Sequence, residues 1–170
     1  MKFNTRTIHG GQQDTDPAFG AVMTPIYQTS TYKQSSPGAH KGFQYSRTGN
    51  PTRAALERSF ASIENGKYGL AFASGLAALD AVIKLLKSGD EIISTNDLYG
   101  GSYRLFTRIF EKMGIRFHFV SMEDADGIEQ YINENTKMIW VETPTNPMMN
   151  IIDIAAMARI AKKHQLLLAV

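Results

Sequence analysis

The 170 residues contain no cysteine, which removes disulfides, thiolate metal sites and a cysteine nucleophile together. Long apolar runs are missing as well. No stretch approaches the roughly 18 consecutive apolar residues of a membrane span, and the start, Met1-Lys2-Phe3-Asn4-Thr5-Arg6, lacks the apolar core of a secretory signal. Asn-x-Ser/Thr acceptors are absent too. The protein is therefore expected to be cytoplasmic, with no membrane partner. Excess charge of one sign is also lacking: 18 Lys+Arg against 16 Asp+Glu leave +2, too little to attract a nucleic acid. His9, His40, His118 and His164 lie far apart without metal-ligand spacing, so no metal is expected. With 43% hydrophobic and 20% charged residues, the chain is neither disordered nor collagen-like. Its length suits one core and leaves no room for a second complete domain.

Residues 1–50 show almost no helical periodicity and carry Gly-Gly, Asp-Pro, Thr-Pro and Ser-Pro-Gly punctuation. Such a stretch reads as an arm, and a neighbouring subunit is its natural anchor. From Asn50 the pattern becomes regular. Asn50 can cap a helix with Pro51 at its first position, Leu56, Phe60 and Ile63 form a stripe, and Asn65-Gly66 ends it. A short strand is predicted over 68–73, and then a helix with Leu79, Val82, Ile83 and Leu86 inward, ended by Gly89. Strand 91–95 and the loop 96–101 come after it. The next helix buries Leu105, Phe106, Ile109, Phe110 and Met113 and closes at Gly114. Strand 115–121, a helix on Ala125, Ile128, Tyr131 and Ile132, strand 137–142 and the loop 143–147 come next. A last helix carries Ile154, Met157, Ala158 and Ala161. The alternation implies an α/β fold, a mostly parallel sheet with helices on both faces. The apolar run 166–170 reads as a buried central strand that needs neighbours on both sides. On that reading residues 1–170 are the first part of a longer chain, truncated at residue 170, with 51–170 opening its large domain.

Four motifs could carry chemistry. Phe72-Ala73-Ser74-Gly75-Leu76-Ala77-Ala78 places Ser-Gly at a strand-to-helix junction, where free N–H groups favour a phosphate. It would serve equally as a tight turn. No G-x-G-x-x-G occurs, and no Walker lysine follows the glycine. Tyr45-Ser46-Arg47-Thr48-Gly49-Asn50-Pro51-Thr52 offers a guanidinium, a phenol and hydroxyls, suited to a phosphate or to a solvated loop. Asp97-Leu98-Tyr99-Gly100-Gly101-Ser102-Tyr103-Arg104 and Glu142-Thr143-Pro144-Thr145-Asn146-Pro147 fall at carboxyl ends of strands, the edge where open α/β sheets bind ligands. Each could also be a simple turn. Ser30-Thr31-Tyr32-Lys33 fits the pattern of acylating serine enzymes only by chance, because its β-branched context is not a helix start.

Taken in order with Ile8-His9-Gly10-Gly11 and Pro25-Ile26-Tyr27-Gln28-Thr29-Ser30-Thr31, these motifs resemble the Cys/Met-metabolism family of pyridoxal-phosphate enzymes, over the whole chain. That family includes cystathionine γ-lyases and cystathionine γ-synthases. The resemblance implies an aspartate-aminotransferase-like fold, pyridoxal 5'-phosphate as cofactor, sulfur amino acids as substrates, and a homo-oligomer with active sites shared between subunits. It implies that Ser74, Gly75 and Leu76 hold the cofactor phosphate, with Tyr45 and Arg47 reaching it from a neighbouring subunit. Tyr99 would stack on the pyridine ring and move protons, and Asn146 would bond its phenolic oxygen. Arg104 and Glu142 would line the substrate site. The lysine that carries the cofactor, the aspartate for the ring nitrogen and the arginine for the substrate carboxylate lie beyond Val170 in the family. Gly101 stands where methionine γ-lyases have cysteine. The expected activity is γ-elimination on cystathionine. γ-Replacement on an O-acylhomoserine and a non-catalytic cofactor-holding module remain alternatives.

Overall fold

The structure, a computed structural model, describes residues 1–12 and 18–170. The Asp16-Pro17 punctuation lies outside the described residues. Contacts gather the chain into two units, Met1–Phe72 and Ala73–Val170.

In the first unit the amino-terminal stretch is more ordered than its composition predicts. It opens with α1, Phe3–His9, packed on α2, Pro51–Ile63. Glycine permits the approach: a Cβ on Gly11 would lie 2.3 Å from the Ala55 carbonyl oxygen and 2.6 Å from Ser59 Cβ. The predicted cap is present, with Asn50 Oδ1 accepting the N–H groups of Thr52 and Arg53 and Pro51 at the first helical position. Thr52 Oγ1 accepts the Tyr27 N–H at 2.9 Å and donates to the Pro25 carbonyl. Two motifs distant in sequence are thereby joined. Leu56 and Phe60 remain about half exposed, so the α2 stripe is not a core. The boundary between the units falls after Phe72, which places α2 with residues 1–50 rather than with residues 73–170. Residues 68–73, predicted as a strand, take no strand assignment.

The second unit is a four-stranded parallel sheet of β1, Glu91–Thr95, β2, Arg116–Val120, β3, Thr136–Trp140, and β4, Leu167–Ala169. The strand order is β2-β1-β3-β4. Residues alternate between its two faces. Ile92, Phe117 and Met138 meet Leu79 and Ile83 of α3, Gly75–Ile83, together with Phe106 and Phe110. Ile93, Val120, Ile139 and Val141 meet Ala156, Met157, Ile160 and Ala161 of α5, Ile154–Lys163. Helices on both faces of a parallel sheet are therefore the architecture, as predicted.

Three local expectations are corrected. After α4, Gly100–Leu105, the chain opens into a π turn, Phe106–Phe110, and a 3₁₀ turn, Glu111–Met113. The extra residue in the wide turn rotates the face, so Phe106 and Phe110 are buried while Ile109 and Met113 are exposed. The segment with Ala125, Ile128 and Tyr131 forms two 3₁₀ turns, Ala125–Gly127 and Glu129–Tyr131, not a helix. It is too short to offset helix nucleation. In α5 the buried stripe is Ala156, Met157, Ile160 and Ala161, with Ile154 turned out.

The run 166–170 contributes β4. Among the described residues β4 pairs with β3 alone, and Leu167 is 48% exposed. An apolar run reports that both faces of a strand are covered, here by Leu168 towards α5 and Ala169 towards α3. At the amino edge of the sheet, buried Glu91 accepts from Arg116 Nη1 at 2.6 Å and Asn133 Nδ2 at 2.8 Å, and stands 2.6 Å from His118 Nε2.

Candidate functional site

The chain crosses from β1 to β2 over the α4 face of the sheet, and from β3 to β4 over the α5 face. Loops leaving the carboxyl ends of β1 and β3 thus part to opposite sides, which opens a crevice between them. A cleft of about 780 Å³ lies there. Its walls are Ser74, Gly75, Leu76, Ala78, Leu79 and Val82 of α3 and its cap, Tyr99 and Ser102 after β1, Trp140 and Glu142 at the end of β3, and Leu168, Ala169 and Val170.

The α3 wall carries hydrogen-bond donors. Ser74 caps the helix, its Oγ accepting the Ala77 N–H at 3.1 Å and its carbonyl the Ala78 N–H. Helix geometry leaves the N–H groups of Gly75 and Leu76 without intrahelical acceptors, at the positive end of the helix. A Cβ at Gly75 would meet nothing within 4 Å, so the chain itself leaves room at this point.

The facing wall is built from the β1 and β3 loops. The backbone N–H of Tyr99 donates to both carboxylate oxygens of Glu142, at 3.0 Å each. Tyr99 is 48% exposed, and its ring lies over Gly101, where a Cβ would be 2.3 Å from its Cε1. Deeper in, Trp140 stands edge-on to Phe106 at 5.6 Å, and Phe106 stacks on Phe117 at 4.5 Å. Buried Thr145 donates through its hydroxyl to Asp97 Oδ2, which also accepts the Met148 N–H at 2.9 Å. Thr145 Oγ1 in turn accepts the Asn150 N–H.

Of the residues named from sequence, Ser74, Gly75, Leu76, Tyr99 and Glu142 converge on this one cleft. Asn146 is exposed in the loop that Asp97 ties down, and is not among the lining residues. Arg104 is exposed and is not among the lining residues. It lies two residues beyond the lining residue Ser102, about 200° round the helix. Tyr45 and Arg47 belong to the first unit, where the Arg47 guanidinium sits 4.7 Å from the centre of the Tyr45 ring. Sequence reasoning missed Ser102 and Trp140 as wall residues. Trp140 shares strand parity with Glu142, and that was the available signal. Among the described residues no cluster of three or more metal-ligating side chains occurs, and no helix is long and apolar enough to cross a membrane.

A profile of the Cys/Met metabolism PLP-dependent enzymes matches residues 4–170. A probable cystathionine gamma-synthase of Herpetosiphon aurantiacus is 49% identical over 162 residues, 95% of this chain and 50% of that protein. The cystathionine gamma-lyase of Bacillus subtilis is 49% identical over 170 residues, 100% of this chain and 45% of its own length. A cystathionine beta-lyase of Coxiella burnetii is 48% identical, over 96% and 42%. The crystal structure of cystathionine gamma-lyase from Lactobacillus plantarum, complexed with L-serine, superposes with a TM-score of 0.92 at 47% identity, covering 99% of this chain and 44% of that one. The chain spans half or less of the length of these relatives.

Proposed function

We propose that this chain, which belongs to the Cys/Met-metabolism family of pyridoxal-phosphate-dependent enzymes, is the first part of the cofactor-binding domain of a transsulfuration enzyme acting on cystathionine by γ-elimination. The carrying observation is the cleft, with unpaired helix N–H groups on one wall and an aromatic ring on the other, at the carboxyl edge of the sheet. Coverage of 42–50% of three relatives supports a part rather than a whole.

The residues present fit pyridoxal 5'-phosphate, the cofactor of this family. Gly75 and Leu76 would donate their N–H groups to the phosphate, and the absence of any atom near the Gly75 Cβ position leaves space for it. Ser74 Oγ already accepts from Ala77, so its own proton is available to the phosphate. Arg47, with Tyr45 beside it, would add charge-assisted bonds from a neighbouring subunit of a homo-oligomer. When bound, the cofactor supplies the sink for the electron pair released as the substrate Cα proton leaves. Tyr99 would present its ring face to the pyridine and its phenol to the protons being moved. Asn146 would offer its amide to the ring's phenolic oxygen, from a loop that Asp97 and Thr145 hold in place. The apolar walls, Leu79, Val82 and Leu168, exclude water from one side of the cleft.

Product analysis on the full-length protein tests the reading. With cystathionine, γ-elimination yields cysteine, 2-oxobutanoate and ammonia. Homocysteine and pyruvate would identify β-elimination instead. Cystathionine formed from an O-acylhomoserine and cysteine, without 2-oxobutanoate release from cystathionine, would identify a synthase. A holoprotein that turns over none of these substrates would be a cofactor-holding module.

A further inference from the structure

We infer that Glu142 is a positioning residue, which sets the station of the Tyr99 ring through the Tyr99 backbone rather than by touching substrate. The inference rests on the proposed role of Tyr99. Both Glu142 oxygens are 3.0 Å from the same N–H, that of Tyr99. This bond spans 43 residues and ties the last turn before α4 to the chain just past β3. Tyr99 has no side-chain cap bond of its own, so the carboxylate satisfies the N–H at the entrance to α4 and opposes the positive end of that helix. A charged acceptor makes this bond stronger than a neutral one.

The side chain of Tyr99 is constrained from the other direction. Gly101 is buried, and a Cβ there would fall 2.3, 2.9 and 3.0 Å from Cε1, Cζ and Cδ1 of the ring. The amide is therefore held by Glu142, while the ring rests on the bare backbone of Gly101. Together they fix where ring face and phenol stand in the cleft. Glu142 lines the same cleft, yet its carboxylate is committed to the protein. A group whose two oxygens already share a backbone donor is poorly disposed to be a general base for substrate.

The test uses full-length holoenzyme carrying Glu142→Ala, Glu142→Gln or Tyr99→Phe, and the double variant Glu142→Ala/Tyr99→Phe. Amide hydrogen exchange of the segment around Tyr99 should quicken about tenfold or more in Glu142→Ala, as expected for a lost bond to a charged acceptor. Exchange in β1 and β3 should not change. Glu142→Gln keeps one carbonyl acceptor and should fall between wild type and Glu142→Ala, and it carries the test if Glu142→Ala does not fold. kcat should fall with little change in KM. The loss should be largely absorbed in the Tyr99→Phe background, since one pathway is then already broken. Unchanged exchange at Tyr99, or kcat losses that simply multiply in the double variant, would overturn the inference. The two readings fail separately: fast exchange in Glu142→Ala with full activity in Tyr99→Phe would keep the clamp and remove the proton-transfer role of the phenol.

Discussion

Asp97, two residues past β1, accepts the hydroxyl of Thr145, five residues past β3, and the same Oδ2 takes the Met148 N–H. One carboxylate thus ties together the two loops that part at the crevice. Asp97→Ala should free residues 143–150, including Asn146, and weaken cofactor binding. A single bond to a charged acceptor is worth about 1.5–3 kcal/mol, which corresponds to roughly 10- to 150-fold in affinity. Spectroscopic titration of the full-length apoenzyme with pyridoxal phosphate measures this. An unchanged Kd would show that the loop does not bear on the cofactor.

The open space at Gly75 leads to a second prediction. Because a Cβ there meets no protein atom within 4 Å, Gly75→Val should fold with near-native stability yet bind the cofactor at least about tenfold more weakly by blocking the helix N–H groups. Equal affinity in the two proteins would remove the phosphate from this helix. Arg47→Ala should also weaken binding, and mixed oligomers of the Arg47 and Gly75 variants should regain some sites if subunits share them. No regain, with subunit exchange verified, would count against sharing.

For Tyr99→Phe the ring face remains and the phenol is lost. We expect kcat to fall about 10²-fold, the scale of a lost general acid or base. A kcat within a few-fold of wild type would leave stacking as the whole contribution.

Acid stability should depend on Glu91. The Asn133 side-chain bond holds its carboxyl below the ordinary value of 4.5; burial opposes this, and His118 and Arg116 reinforce it. A lowered folded pKa gives stability that is fully present above 4.5 and is lost as pH falls through the folded value. Glu91→Gln should therefore narrow the gap from wild type as the solution is acidified. Urea midpoints at pH 7 and near pH 3.5 would show it, and a gap that stays constant would refute the linkage.

Phe106 supports the cleft from beneath. It is fully buried, stacks on Phe117 and meets the edge of Trp140. Phe106→Ala should cost roughly 3–5 kcal/mol and release Trp140. Denaturant unfolding monitored by Trp140, the only tryptophan in the chain, would report both effects.

What the sequence determined by itself was local. Asn50-Pro51 and Ser74-Gly75 specify helix starts through their own side chains and backbone, and the structure has both. Strand Glu91–Thr95 coincides with its predicted bounds, because its turn signals are adjacent to it. Only the tertiary structure decided matters that depend on residues far apart. The segment at Ile128 carries an apolar pattern, yet it folds as two short turns that set Ile128 into the core. The π turn fixes which of Phe106, Ile109, Phe110 and Met113 point inward, and no periodic reading includes it. Ser102 and Trp140 become cleft walls because strand order brings the ends of β1 and β3 side by side. The Glu142 carboxylate looks in sequence like a group waiting for substrate. It meets Tyr99 across 43 residues, and pairings across such separations are set by the sheet, not by either residue's neighbours in the chain.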